Sequence, residues 1–349
     1  MSIKVLLNGA GRVGKAVLKQ LLEYKDFEIK IINDINPYIE NLVYSINYDS
    51  TYGKLDDRFK IIENNFIENS KSKIKITNFD SLNKIDLKDI DIIIDSSGKK
   101  EDINLLKQLP VNAIFLTHPN KSADINVILG ANEKELNPSF NKIISTSSCN
   151  ATALLPALKL VDERKEILCG DIITIHPLLN HQRVLDGSFV GSATREVDCN
   201  FEFGRSSTQN IIPNKTTTIT ACSYVLEKFN KELISSNSLR VPTDTVGAIN
   251  VTLFTKQTST KDEIIELFKD YEKNQKFPIV LNNFEPLVSS DFKKERFTTI
   301  IDHRYTDVKT NMIKLLLWYD NEWGYASKVV EILKYYEEIK KASKKYLPF

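Results

Sequence analysis

Cys149 stands in the stretch STSSCNATALLP (145–156), with serines and threonines before it and the apolar, helix-like ALLPALKLV after it. A structural cysteine behaves as a small hydrophobe among apolar neighbours. This one is placed where the first amides of a helix would face its sulfur. Their partial positive charge lowers a thiol pKa and favours the nucleophilic thiolate, although Ser and Thr in such a run also serve as ordinary helix caps. A thiol nucleophile needs a base, and imidazole titrates in the right range. His176, at the end of the strand-like DIITI, is the leading partner, with His118, His181 and His303 as weaker candidates.

These two side chains need a scaffold, and the first half of the chain predicts one. IKVLL (3–7) reads as a buried parallel strand, runs into Gly9, Gly11 and Gly14 of GAGRVG, and is followed by the helical spacing of KAVLKQLLEY. A GxGxxG is a weak signal alone, but after the second apolar run, FEIKIIN, comes Asp34, twenty positions beyond Gly14. Glycines there let backbone amides approach a pyrophosphate at a helix N-terminus, and the acid accepts hydrogen bonds from an adenosine ribose. A carboxylate would repel a 2′-phosphate, so NAD is favoured over NADP. IDIIIDSSG (90–98), NAIFLTHP (112–119) and NKIISTSS (141–148) continue the strand pattern. Each ends in small polar residues, where ligands collect at the carboxyl edge of a parallel sheet, and Cys149 follows the last of them.

The 349 residues favour two domains. Lys plus Arg at 47 against Asp plus Glu at 46 gives no reason to expect a nucleic acid or an anionic membrane as partner. Four cysteines without a CxxC pair, and no histidine cluster at ligand spacing, argue against a disulfide scaffold or a metal site. No run approaches the roughly 18 apolar residues of a membrane span. The N-terminal apolar patch is too short for a secretion signal, and the chain is read as cytoplasmic.

The sequence resembles the glyceraldehyde-3-phosphate dehydrogenase family over nearly its whole length. The motifs that carry the likeness are NGAGRVGK, NYDSTYGKL, SSCNATALLP, RSSTQNIIP, RVPT (240–243), VSSDF (288–292) and WYDNEWGYASKVV (318–330). The resemblance implies an α/β fold. An N-terminal Rossmann domain over 1–148 would be completed by the C-terminal helix, about 322–349, and 149–321 would form an α+β catalytic domain with a mostly antiparallel sheet. It implies that Cys149 attacks an aldehyde to give a thiohemiacetal with His176 as base, and that inorganic phosphate cleaves the resulting thioester to an acyl phosphate. Arg12, Val13, Ser97, Gly98, Thr117 and Tyr325 would join the glycines and Asp34 around NAD, and Asn321 would fix the nicotinamide carboxamide. Ser148, Asn150, Thr216, Thr217 and Arg240 would bind substrate or attacking phosphate. A homotetramer is implied.

Departures from the family gather around the substrate. Asn150, Ala151, Thr152 and Ala153 follow the cysteine where the family has Thr-Thr-Asn-Cys. Leu179 and His181 replace phosphate-holding threonines, and Phe203 falls where a phosphate-binding arginine is expected, with Arg195 or Arg183 as substitutes. Thr217 replaces a glycine. Ser188 replaces a proline common in strictly NAD-dependent members, which leaves NADP open. HxxxxHQxVLD resembles erythrose-4-phosphate dehydrogenase. The readings are therefore a phosphorylating dehydrogenase of the family's type, a dehydrogenase of erythrose 4-phosphate or another small aldehyde, ending in phosphorolysis or hydrolysis, and a non-catalytic nucleotide-binding descendant.

Overall fold

A computed structural model describes residues 2–63, 65–188 and 201–345. The chain divides into two units, one of Met1–Val127, Lys134–Thr146 and Ala326–Phe349, the other of Ile128–Glu133 and Ser147–Tyr325.

In the first unit β1 (Ile3–Asn8), α1 (Arg12–Leu21), β2 (Phe27–Asn33), α2 (Ile39–Asn47), β3 (Lys60–Ile62), β4 (Phe66–Glu68), β5 (Lys73–Thr77), β6 (Ile92–Asp95), α3 (Ile103–Gln108), β7 (Ala113–Leu116), β8 (Ile125–Asn126) and β9 (Ile143–Ser145) follow in order. The strands lie as β3-β4-β5-β2-β1-β6-β7-β9-β8. All pairs from β5 through β8 are parallel, and β3, β4 and β5 form an antiparallel edge. The central strands β6 (IIID) and β7 (AIFL) are buried at every position, as a parallel sheet covered on both faces requires. The polar last residues of β5, β2, β1 and β6 close the carboxyl edge with a chain of side-chain hydrogen bonds. Thr77 Oγ1 donates to Asn33 Oδ1, Asn33 Nδ2 to Asn8 Oδ1, and Asn8 Nδ2 to Asp95 Oδ1, at 2.8 to 2.9 Å. This is the Rossmann half of the fold.

The second unit opens with α4 (Cys149–Lys165), whose residues from Asn150 to Leu158 are all buried. It continues through β10 (Ile167–His176), β11 (Ile212–Asn214), α5 (Thr218–Ser223), β12 (Ile234–Arg240), β13 (Gly247–Thr255), α6 (Lys261–Asn274), β14 (Val280–Asn283), β15 (Thr299–Asp302), β16 (Asp307–Lys309) and β17 (Met312–Tyr319). The sheet order is β11-β12-β10-β13-β17-β15-β14, with β16 on β17. It is mixed and mainly antiparallel. The parallel pairs are β10 with β12 and β14 with β15. The β10–β12 register sets His176 opposite Arg240 at the ends of adjacent strands. α4 is tied to β15 by Thr299 Oγ1, which donates to the Ala153 carbonyl at 2.8 Å. α7 (Trp323–Lys345) ends the described chain, and its Tyr336 ring stands edge-on to Phe115 of β7.

Candidate active site

The glycine loop joins β1 to α1. Gly9 has φ +86°, and a Cβ there would lie 2.6 Å from the Ser97 Cα, so only glycine fits. A Cβ on Gly14 would collide with the Gly9 carbonyl. Gly11 is the helix N-cap and has nothing within 4 Å of an added Cβ; no side chain caps the amides behind it. That is a backbone cradle open on the side where a pyrophosphate would sit, and it fits NAD. Asp34 accepts from the Ala10 amide at 2.8 Å and from the Asn36 amide at 2.9 Å, which fixes the carboxylate beside the loop. Arg12 and Val13 form the first turn of α1, half-buried. Arg12 turns away to Asp49 at 2.6 Å, with Lys15 at 3.5 Å on the same carboxylate. Burial pushes the Asp49 pKa up, but the Tyr52 amide, Arg12 and the Thr51 amide outweigh it and leave the group lowered. Ser97 is held to Asp95 at 2.7 Å, Gly98 has φ +72° with open space, and Thr117 donates to the Asp95 carbonyl.

The thiol site is built entirely within the second unit. Ser148 is the N-cap of α4 and accepts from the Ala151 amide at 3.3 Å; Cys149 is the first helical residue. Its Sγ lies 3.8 Å from His176 Nε2. His176 Nδ1 is 2.9 Å from the Pro177 carbonyl, an oxygen that can only accept. Nδ1 therefore carries the hydrogen, and Nε2 presents a lone pair to the sulfur. The other second-unit histidines are committed elsewhere. His181 stands edge-on to Phe203, and His303 is bonded to Asn282 and Thr306.

The expected lowering of the thiol pKa is corrected by the site. Burial pushes Cys149 up to about 11, against the opposing pull of the Arg240 guanidinium and the amides of Asn150 and Cys149; Glu322 adds to the rise. Desolvation of a thiolate at a half-buried helix start outweighs one helix terminus and one cation.

The anion-binding candidates separate. Arg240 faces the sulfur closely enough for its charge to act on it. Thr216 Oγ1 is 2.6 Å from Thr218 Oγ1, and Thr217 is exposed at the start of α5. Asn150 does not present a free amide to an anion. It is buried, its Oδ1 accepts from Tyr319 Oη at 2.6 Å and lies 3.4 Å from the thiol, and its Nδ2 donates to Thr218 at 3.2 Å. Asn321 accepts at Oδ1 from the Val246 amide and the Thr245 hydroxyl, which orients its NH2 outward from that anchor. Tyr325, expected at the cofactor, is buried and donates to the Ser147 carbonyl at 3.0 Å. Ser147 has φ +61°, so the tyrosine holds a strained turn two residues before Cys149. Arg183 reaches the Ser188 carbonyl at 3.1 Å on the exposed loop, while Arg195 lies outside the described residues. Among the described residues no group of His, Cys, Asp and Glu could hold a metal, and no helix is long and apolar enough to cross a membrane.

Sequence reasoning did not find Tyr319, Asp49 or Pro177. Tyr319 opens the quoted YDNEWGY motif, but its partner Asn150 is 169 positions away, and only the folded sheet joins them.

Comparison with known proteins gives two family models: the glyceraldehyde 3-phosphate dehydrogenase NAD binding domain over residues 3–103 and the C-terminal domain of the same enzyme over 148–321. Among similar proteins, glyceraldehyde-3-phosphate dehydrogenase of Buchnera aphidicola is 31% identical over 341 residues, covering 96% of this chain and 98% of the relative. That of Chlamydia pneumoniae is 30% identical, covering 96% and 99%, and glyceraldehyde-3-phosphate dehydrogenase 2 of Bacillus subtilis is 29% identical, covering 96% and 97%.

Proposed function

Because the chain belongs to the glyceraldehyde-3-phosphate dehydrogenase family, we propose that it oxidises a small phosphorylated aldehyde with NAD and releases an acyl phosphate, with Cys149 as nucleophile and His176 as base. The observation that carries this reading is the Sγ–Nε2 approach of 3.8 Å, with the imidazole's other nitrogen tied to Pro177. NAD, held by the Gly9–Gly14 loop and Asp34, supplies the hydride acceptor. The residues manage everything else. Attack of Sγ on the aldehyde carbon moves the thiol proton to His176 Nε2, which passes it to the former carbonyl oxygen, so that the thiohemiacetal carries a hydroxyl and Nε2 is free again. The same nitrogen is placed to take the proton of the hemiacetal hydroxyl as the carbon is oxidised to the thioester. Phosphate oxygen then bonds to the acyl carbon and the C–S bond breaks; the sulfur leaves as thiolate beside Nε2 and takes back the proton held there. Arg240 binds phosphate by charge, Ser148 and Thr216 offer hydroxyls to it, and Asn321 keeps its NH2 for the cofactor's carboxamide.

A second reading concerns the substrate. Leu179 cannot donate a hydrogen bond, and Phe203, aligned with a phosphate-binding arginine of the family, stands edge-on to His181 with ring centroids 5.5 Å apart. Each charge-assisted hydrogen bond to phosphate lost there costs about 1.5–3 kcal/mol, which favours a small aldehyde other than the family's usual substrate; the HxxxxHQxVLD pattern supports erythrose 4-phosphate as one such substrate. The approach of Cys149 Sγ to His176 Nε2 supports an enzyme over a non-catalytic descendant. A homotetramer fits the exposed Val184, Leu185, Phe201 and Ile211, which flank the segment 189–200 and offer apolar surface to another copy.

The test is NADH formation with glyceraldehyde 3-phosphate, erythrose 4-phosphate and unphosphorylated glyceraldehyde, each with and without inorganic phosphate. Cys149→Ser is expected to abolish turnover with every aldehyde, and omission of phosphate to stop the reaction after one turnover per site. Sustained turnover by the serine variant would remove the thiohemiacetal mechanism; sustained turnover without phosphate would replace phosphorolysis by hydrolysis.

A further inference from the structure

The first unit has a second concave site, at the strand ends opposite the glycine loop. Phe27 and Lys73 open β2 and β5, and a cavity of about 670 Å³ lies against them, whereas Gly9 and Asp34 follow the carboxyl ends of β1 and β2. The six residues of β1 separate the two edges by roughly 20 Å. Tyr24, Phe27 and Phe66 give the cavity aromatic walls. Its rim is basic: Lys25, Lys30, Lys71 and Lys73 line it with a single acid, Glu28. That acid is already engaged, by Lys30 Nζ at 2.9 Å and by the Ser2 hydroxyl, which donates to it at 3.2 Å. Lys25, Lys71 and Lys73 are exposed and have no carboxylate at ion-pair distance among the described residues, although the charge of Asp57 acts on Lys71 from further away. In a chain whose net charge is +1 this is a local excess of cations. The rings share it. Lys73 Nζ stands 5.2 Å from the Phe66 centroid, and Lys334 Nζ of α7 stands 4.1 Å from that of Tyr24. The carbonyls at the end of α1, which would repel an anion, are met by amides: Leu18 by Leu22, Gln20 by Glu23 and Leu21 by Tyr24.

We propose that this cavity binds a nucleoside polyphosphate, its base against Tyr24 and Phe66 and its phosphates on Lys25, Lys71 and Lys73, at a site separate from the dinucleotide cleft. Size and composition select that class together. The volume suits a ligand as large as a nucleotide. Inorganic phosphate would leave the rings uncovered, and an uncharged aromatic molecule would leave three ammonium groups unneutralised. Lysines spread around a rim suit a chain of phosphates, because each ammonium acts as a point charge without the fixed fork of a guanidinium. Every base has a face to lay on an aromatic ring, so the walls do not choose among bases. Nothing in this inference depends on the chemistry at Cys149.

The probe is 8-azido-ATP, photolysed on the full chain with NAD in excess so that the glycine-loop cleft is filled, and mapped by mass spectrometry. Label is expected on the peptides that carry residues 21–30 and 66–73, displaced by ATP and by inorganic triphosphate. Combining Lys25→Glu, Lys71→Glu and Lys73→Glu is expected to cut that label by about tenfold while the thermal midpoint and NADH formation stay unchanged. Tyr24→Ala is expected to weaken displacement by ATP severalfold and to leave displacement by triphosphate as it was. Label confined to the Gly9–Gly14 peptide, label that ATP does not displace, or label undiminished in the triple variant overturns the proposal. Equal weakening of ATP and triphosphate by Tyr24→Ala, or of neither, overturns the placement of a base there and with it the nucleotide class. Capture of the protein by anionic phospholipid vesicles, with no displacement of label by ATP, would assign the lysines to a membrane surface and also overturn it.

Discussion

At the scale of single residues the site is a balance of charges around one sulfur. Burial raises the Cys149 thiol and Arg240 lowers it, so a neutral side chain of similar length at 240 takes away the term that favours thiolate. Arg240→Met is expected to move the pH midpoint of Cys149 alkylation by iodoacetamide further up and slow alkylation at pH 8. It should also raise KM more for a phosphorylated aldehyde than for a neutral one if the guanidinium binds phosphate as proposed. An alkylation midpoint unchanged or lowered in Arg240→Met would show that the guanidinium does not act on the sulfur. Much of this was legible in the sequence. Cys149 before an apolar helix, His176 at a strand end and the Gly9–Gly14 loop each declare themselves within a few residues of their own chain. What was hidden is what no local pattern encodes: burial that reverses the sign of the thiol shift, and the use of Asn150 and Tyr325 to prop the nucleophile, through partners 169 and 178 positions away.

Elements place these residues by strand ends and helix starts. β10 and β12 run parallel and terminate together, which is why His176 and Arg240 are neighbours, and α4 starts at the cysteine itself. β17 supplies the third support. Its Tyr319 lies against Gly247 at the start of β13, the register partner with which it is paired. Adding a methyl there puts carbon 2.5 to 2.8 Å from the hydroxyl and two ring atoms, so the ring must move. Gly247→Ala is expected to cost about 1–3 kcal/mol of stability, read as a lower thermal midpoint. In the surviving folded protein it should move the alkylation midpoint of Cys149, because Tyr319 bonds the Asn150 amide that lies against the sulfur. An undisturbed thiol profile would show that β17 does not hold the site. The apolar run FEIKIIN coincides with β2 from end to end. Strand pairing was not legible, since the same apolar run suits any central position of either sheet.

Across the whole molecule the second unit carries an acid sensitivity separate from its chemistry. His303 is buried between Phe284, stacked at 4.9 Å, and Phe268, and its ring is committed as the neutral form. Asn282 gives its NH2 to Glu272, so its Oδ1 accepts from His303 Nε2, and Nδ1 is left to accept from Thr306. Burial, with Lys269 and Lys261 nearby and only Asp302 opposing, pushes His303 down to about 4. The unfolded chain binds this proton near pH 6.5 and the folded one near 4, so between those values the unfolded state holds more protons and stability falls as pH falls. The shift corresponds to about 3 kcal/mol lost over that window. Asp302 adds a later phase. Burial raises its pKa, but Arg304 at 2.5 Å and the Trp318 indole outweigh that and leave it lowered, so its contribution is full above the ordinary carboxylate range and disappears only below about 4. Both tryptophans, Trp318 and Trp323, lie in this unit, and their fluorescence in urea titrations from pH 7.5 to 4.5 reports on it directly. The urea midpoint is expected to drop progressively below pH 6.5 in the native sequence and to stay nearly level to pH 4.5 in His303→Gln, which keeps an amide donor for Asn282 without a titrating ring. A level native profile, or an unchanged slope in the glutamine variant, would assign the acid sensitivity to other groups.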